Sequence, residues 1–178
     1  MANIFFISDT HFGHQGMCQF LRSDGTKVRP FLTCNECDDV MIENWNKTVR
    51  PNDKIYHLGD VAIKRQYIST LEKLNGDKIL IRGNHDIFKL KDYTDYFRDV
   101  RATHKLDFLL LSHYPIHPDS IDGNIKANVH GHIHYRRVLK DSQAIDPKYI
   151  NVSVECINYT PISFDEVIKI YKEQNLNK

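Results

Sequence analysis

The chain has 178 residues, the length of one ordinary domain, and is 41% hydrophobic and 26% charged, the composition of a chain that buries its own core. Lys and Arg number 24 against 23 Asp and Glu, a formal charge of +1 that removes the broad basic footprint of a protein living on nucleic acid or anionic membrane. One count stands apart: ten His against eight Gly. Along the chain, the first short apolar run predicts a buried strand over Asn3 to Ser8. Thr33-Cys34-Asn35-Glu36 then reads as a capping box, opening a helix with Cys37, Val40, Met41, Trp45 and Val49 on one face. A strand over Lys54 to Leu58 follows, and Ile63, Tyr67, Leu71 and Leu74 predict a second helix stopped at Gly76. Further strands are expected at Lys78 to Arg82, Phe108 to Ser112, Ala127 to His130 and Ile150 to Val154. Asn158 to Pro161 reads as a turn, and the capping box Ser163 to Glu166 opens a last helix through Val167, Ile170 and Tyr171. The longest irregular stretches are Asp24 to Pro30 and Pro115 to Lys126. Strands alternating with helices, without repeats or a Pro/Gly/Ser linker, predict an α/β or mixed sandwich in a single domain over 1–178.

No apolar run reaches the ~20 residues of a membrane span, and Met1-Ala2-Asn3-Ile4 has neither the basic start nor the cleavage site of a secretory signal. Cys18, Cys34, Cys37 and Cys156 read as free thiols, because a chain of this size needs no disulfide staple and Cys34-x-x-Cys37 has no second pair to complete a zinc ribbon. The expected location is therefore the cytoplasm, with no membrane partner.

The histidines cluster with Asp and Asn at strand C-termini, where open α/β sheets gather functional groups. The expected strand ends run into Ser8-Asp9-Thr10-His11, Gly59-Asp60, Gly83-Asn84-His85-Asp86, Ser112-His113 and His130-Gly131-His132-Ile133-His134. Carboxylates and imidazoles without a thiolate suit first-row ions such as Mn²⁺, Fe, Ni²⁺ or Zn²⁺. Seven candidate ligands exceed one tetrahedral site but fit two adjacent metals sharing a carboxylate, and Asp60 beside Gly59 is the natural bridge. Such a pair would clamp a phosphoryl group and hold a hydroxide that attacks phosphorus directly.

Asp9-x-His11, Gly59-Asp60, Gly83-Asn84-His85-Asp86, His113 and Gly131-His132-x-His134 resemble the five ordered blocks of the calcineurin-like metallophosphoesterases, and they span positions 9 to 134. The complete ordered set is specific, Gly-Asn-His-Asp most of all. The resemblance implies a two-sheet β-sandwich flanked by helices (an αββα arrangement), with a binuclear site on loops along one edge. It implies that Asp9, His11 and His134 hold the first metal, Asp60 bridges, and Asn84, His113 and His132 complete the second. His85 would stand beside the metals and assist the leaving group, with Asp86 accepting its other ring proton. Two divalent ions are implied, manganese foremost, with iron, nickel or zinc as alternatives, and a homodimer is allowed.

Other residues carry two readings. His14 either turns back over the metals to touch substrate or stands at a helix start on the surface. Arg82 either offers a cation to phosphate or pairs with a carboxylate. Asn84 is a second candidate for substrate contact. His57 and His130 are expected inside strands, His104 at a hairpin turn and His117 in a loop. Tyr114 is read as core packing in preference to pocket lining. Arg136, Arg137 and Lys140 read as basic residues on an edge strand. The function expected is hydrolysis of a phosphoester, with a phosphodiester favoured because the short chain has no extra domain to enclose a small monoester. The alternatives are a nuclease or nucleic-acid end-processing enzyme using the same metals, a phosphomonoesterase, and a non-catalytic metal-binding module, which the intact residue set disfavours.

Overall fold

The computed structural model describes residues 2–176. Two sheets lie face to face. The first carries β1 (Ile4–Ile7), β2 (Lys54–His57), β3 (Asp77–Ile81), β4 (Asp99–Arg101) and β9 (Ile162–Ser163), in the order β4-β3-β2-β1-β9. All its pairs are parallel except β1–β9. The second, ordered β5-β6-β7-β8, comprises β5 (Thr103–Leu106), β6 (Leu109–Ser112), β7 (Ala127–His130) and β8 (Tyr149–Asn151), with β5 antiparallel and the rest parallel. The helices are α1 (Cys34–Thr48), α2 (Leu90–Thr94) and α3 (Phe164–Asn175). This is the mixed α/β sandwich that the sequence predicts.

Strand alternation divides the core in two. Phe5, Ile7, Ile55 and Leu80 pack with Cys37, Met41 and Trp45 of α1. Phe6, Tyr56, Ile79 and Ile81 face the second sheet, meeting Leu109, Leu111, Val129 and Ile150. Buried on both faces, the central strands read as unbroken apolar runs. Main-chain contacts join the sheets along the edge where β1 and β8 end: Ser8 N donates to the Val152 carbonyl at 3.0 Å and Val154 N to that of Ser8 at 3.1 Å.

Several local expectations change. The segment around Leu71 is a run of 3₁₀ turns over Arg65–Lys73, and its buried residues Ile68, Leu71 and Leu74 repeat every third position, the period of a 3₁₀ helix. At α1, Thr33 caps the Glu36 amide, but the Glu36 carboxylate reaches the Leu32 amide, so the box is half formed; the Ser163–Glu166 box at α3 is complete. His104 lies within β5, stacked on Tyr56, and the tight turn falls three residues later, at Asp107, whose φ is +54°. Arg136, Arg137 and Lys140 belong to a loop outside any strand.

Candidate metal centre

Five of the seven candidate ligands adopt left-handed backbone angles: Asp9 (φ +58°), His11 (+48°), Asp60 (+59°), His132 (+70°) and His134 (+52°). Such angles are costly for non-glycine residues and collect where a fold must aim side chains away from the course of the chain. Each strand ends, the chain turns sharply, and the side chain is delivered to one edge. Gly59 permits the crowding, since a Cβ there would stand 2.6 Å from the Gly83 amide and the His113 ring. A Cβ at Gly131 would collide with Ser8 and the Asp9 carboxylate.

Two groups result. Asp9, His11 and His134 offer ligand atoms within 4.8 Å of one another, and so do Asp60, His113 and His132. Asp60 stands between them, its Oδ2 3.6 Å from His11 Nε2 in one group and 3.4 Å from His113 Nε2 in the other. Asn84 Oδ1 converges on the second group, 2.8 Å from His113 Nε2 and 3.0 Å from His132 Nδ1.

The surroundings fit a cation. Both ring nitrogens of His11 are buried without a hydrogen-bond partner, an arrangement that costs free energy unless something else uses the lone pair. Burial and the Arg29 charge push the His11 pKa well below its ordinary value, keeping the ring neutral. His113 Nδ1–H donates to the Leu58 carbonyl at 2.8 Å, leaving Nε2 turned toward Asp60 and Asn84. His134 Nδ1–H donates to Glu155, whose two oxygens are each 3.2 Å away. Burial opposes ionisation of Asp60, but the His113 and His11 rings and the His85 amide hold its pKa at about 2. Burial disfavours the charged form of His134 too, yet Glu155 and Asp9 raise its pKa, so positive charge is favoured there.

Three residues outside the expected set, Arg29, Ser153 and Glu155, support the first group. The guanidinium of the buried Arg29 donates to the carbonyls of Asp9 at 2.6 Å and Thr10 at 2.9 Å and to Glu155 at 2.8 Å. Ser153 Oγ donates to Asp9 Oδ2 at 2.9 Å. Glu155 stands just past a predicted strand end, the signal that marked the other groups. Arg29 lies in a predicted loop with no local signal at all.

The remaining candidates divide. The His85 ring is 5.3 Å from that of His11, and the residue is exposed. His14 sits 5.6 Å from His11, ring to ring, and lines the same cavity as His85 and His134, so it faces the centre. Asp86 differs from expectation: its buried carboxylate accepts from the amides of Asp60 at 2.8 Å, Val61 at 3.0 Å and Gly83 at 2.8 Å, and makes no hydrogen bond to His85 among the described residues. Its acceptor capacity is spent on clamping the two loops that carry Asp60 and Asn84. Arg82 also serves the backbone, donating to the carbonyls of Asp86 at 2.6 Å and Phe88 at 2.9 Å, so neither reading of it describes its contacts. Tyr114 is 49% exposed with its ring 4.5 Å from His132, at the rim of the site and outside the core. His57 and His130 are buried in strands, where burial lowers their pKa values to about 3 and about 4.

A β-sandwich presenting two carboxylate–imidazole groups around a shared aspartate defines a class of metal-binding protein, and its sequence places it more narrowly. Residues 2–132 match the calcineurin-like phosphoesterase profile, and the chain belongs to that family. It is 36% identical over 188 aligned positions to an uncharacterized protein of Methanocaldococcus jannaschii, MJ1445, covering 97% of this chain and 93% of that one. The crystal structure of AQ665 from Aquifex aeolicus, a protein of unknown function, superposes with a TM-score of 0.69 and 29% identity over 96% of this chain and 100% of that one. A more distant likeness, TM-score 0.46 and 16% identity over 84% of this chain and 82% of that one, is to an archaeal phosphodiesterase.

Proposed function

We propose that the protein is a phosphoester hydrolase using two divalent metal ions, manganese foremost with iron, nickel or zinc as alternatives, and that a phosphodiester is its preferred substrate. The observation that carries this reading is the placement of Asp60 Oδ2 between His11 and His113, with His11 otherwise unpartnered. Asp9, His11 and His134 would hold one ion, Asn84, His113 and His132 the other, and Asp60 both. When bound, the ions supply charge neutralisation for the phosphate oxygens and a nucleophilic water near neutral pH.

The chain's own residues do the rest. Glu155 and the Leu58 carbonyl fix which ring nitrogen His134 and His113 present. Asp86 fixes the separation of the Asp60 and Asn84 loops. His85, exposed beside His11, is placed to give a proton to the departing oxygen as its bond to phosphorus breaks and the water oxygen bonds to phosphorus. The free state of all four cysteines supports a reducing, cytoplasmic setting.

The test is metal reconstitution followed by assay of bis(p-nitrophenyl) phosphate against p-nitrophenyl phosphate. Wild-type protein should hydrolyse the diester faster. Asp60→Asn should lose both metal and activity. His85→Ala should keep its metal and lose turnover by about 10²–10⁴-fold, the usual contribution of a placed acid. Departure of metal from His85→Ala would make His85 a ligand, and inertness toward both esters would overturn the reading.

A further inference from the structure

Beside the candidate centre lies a cavity of about 440 Å³, within the range of small-molecule sites. His11, His14, His85 and His134 line it on the side of the centre, and the exposed Arg136 lines it as well. Its outer wall is apolar, built from Met17, Phe20, Leu21 and Val28. Met17 and Val28 are buried beneath the wall, outside the two main clusters, whereas Phe20 and Leu21 are 52% and 62% exposed. The segment is nonetheless ordered: Val28 N donates to the Phe20 carbonyl at 2.8 Å, Leu21 and Lys27 form an antiparallel bridge, and the Phe20 ring lies edge-on to His14 at 5.8 Å. An ordered hairpin that holds large apolar side chains toward water, beside polar groups gathered for chemistry, is accounted for by a ligand with an apolar part.

We propose that this wall is the subsite for the departing ester group and that the group is a bulky aromatic or apolar alcohol. The inference rests on the phosphoesterase reading and adds the substrate class. His85 sets the direction: it lines the same cavity as Phe20 and Leu21 with its ring 5.3 Å from that of His11, so the oxygen it protonates carries its substituent into the cavity, along that wall. A phosphate monoester of a small polar alcohol would leave that wall wet. Arg136, exposed and lining the cavity, can lie over the face of an aromatic group and add a cation–π attraction that aliphatic side chains lack.

The test uses non-hydrolysable probes. Manganese-loaded protein is titrated calorimetrically with methylphosphonate and with phenylphosphonate, in the wild type and in a Phe20→Ser, Leu21→Ser variant. Both side chains are exposed and outside the cores, so the fold should persist, as thermal melting will show. The wild type should bind phenylphosphonate at least about tenfold more tightly, equivalent to about 1.4 kcal/mol, and the variant should bring the two affinities to within about twofold. Should the double variant unfold, Leu21→Ser alone must lower the ratio at least about threefold. A wild-type ratio near one, with methylphosphonate bound and diester hydrolysed, overturns the subsite and leaves the hydrolase standing. A preference that survives both substitutions also overturns it. Failure of both probes to bind, together with failure to hydrolyse any ester, removes both.

Discussion

Arg29 and Glu155 form a buried charge pair beneath the first candidate group, and each depends on the other. The side chains are 2% and 0% exposed, and Nε to Oε1 is 2.8 Å. Burial opposes ionisation of Glu155, but Arg29 and His134 hold its pKa below the ordinary carboxylate range. A pair of this kind adds little net stability over apolar residues, yet removing one partner strands the other charge. Glu155→Ala should therefore lower the unfolding free energy by about 3–5 kcal/mol, read from urea titration. It also frees the His134 ring, and metal affinity should fall by about 10–100-fold. Unchanged stability would mean that Arg29 is compensated elsewhere. Asp86 teaches a related lesson. A carboxylate directly after a histidine reads as that histidine's partner, but three backbone amides outbid the ring for it because they lie closer in space.

At the scale of elements, α1 is tied to the first site loop by a hydrogen bond in which Asp38 Oδ2 accepts from the Gly13 amide at 2.8 Å. Burial raises the Asp38 pKa to about 6, against the opposing effects of that amide and of Arg29. Because the folded value lies above the unfolded 3.8, the native chain holds the extra proton between those limits. Stability from this group is thus present in full below about pH 4 and is lost as pH rises through about 6. Asp38→Asn keeps an acceptor for Gly13 and has no charge to desolvate. It should exceed wild type by about 1–2 kcal/mol at pH 8 and converge on it near pH 4, in paired thermal melts. A pH-independent difference would show that desolvation of Asp38 is not the cause. The same loop illustrates how much of the element scale could be read beforehand. Strand ends rich in Asp and His announced the site, and α1 and α3 followed from their apolar faces and caps. The 3₁₀ run at Arg65–Lys73 did not, because a few apolar residues fit a period of three and of 3.6 almost equally well.

Across the whole molecule, folding draws Asp9, Asp60 and Glu155 into one edge of a chain whose formal charge is only +1. Asp60 and Glu155 are compensated by neighbouring rings and Arg29, but burial of the Asp9 carboxylate and of the unpartnered His11 ring nitrogens disfavours the empty native state, and a cation bound only by the folded chain relieves it. Manganese at 100 times its dissociation constant should stabilise by about 2.7 kcal/mol, raising Tm by about 5–10 °C for a chain of this length. Asp60→Asn should abolish most of the rise, and a wild-type Tm indifferent to divalent ions would argue against metal binding. No helix among the described residues is long and apolar enough to cross a membrane.

What the amino-acid sequence determined by itself was six of the nine strands among the described residues, the two clear helices and the family, because apolar runs, caps and ordered Asp/His/Asn blocks are local patterns, whereas the short strands β4, β5 and β9 carry no such run. Tertiary structure alone decided the partnerships: Glu155 beneath His134, Arg29 126 positions away from Glu155, Asp86 on the backbone, and an apolar wall beside His85. These choices turn on which groups meet when five strand ends converge on one edge. Separation along the chain carries no record of that distance, and buried polar groups take whichever partner the packing brings near.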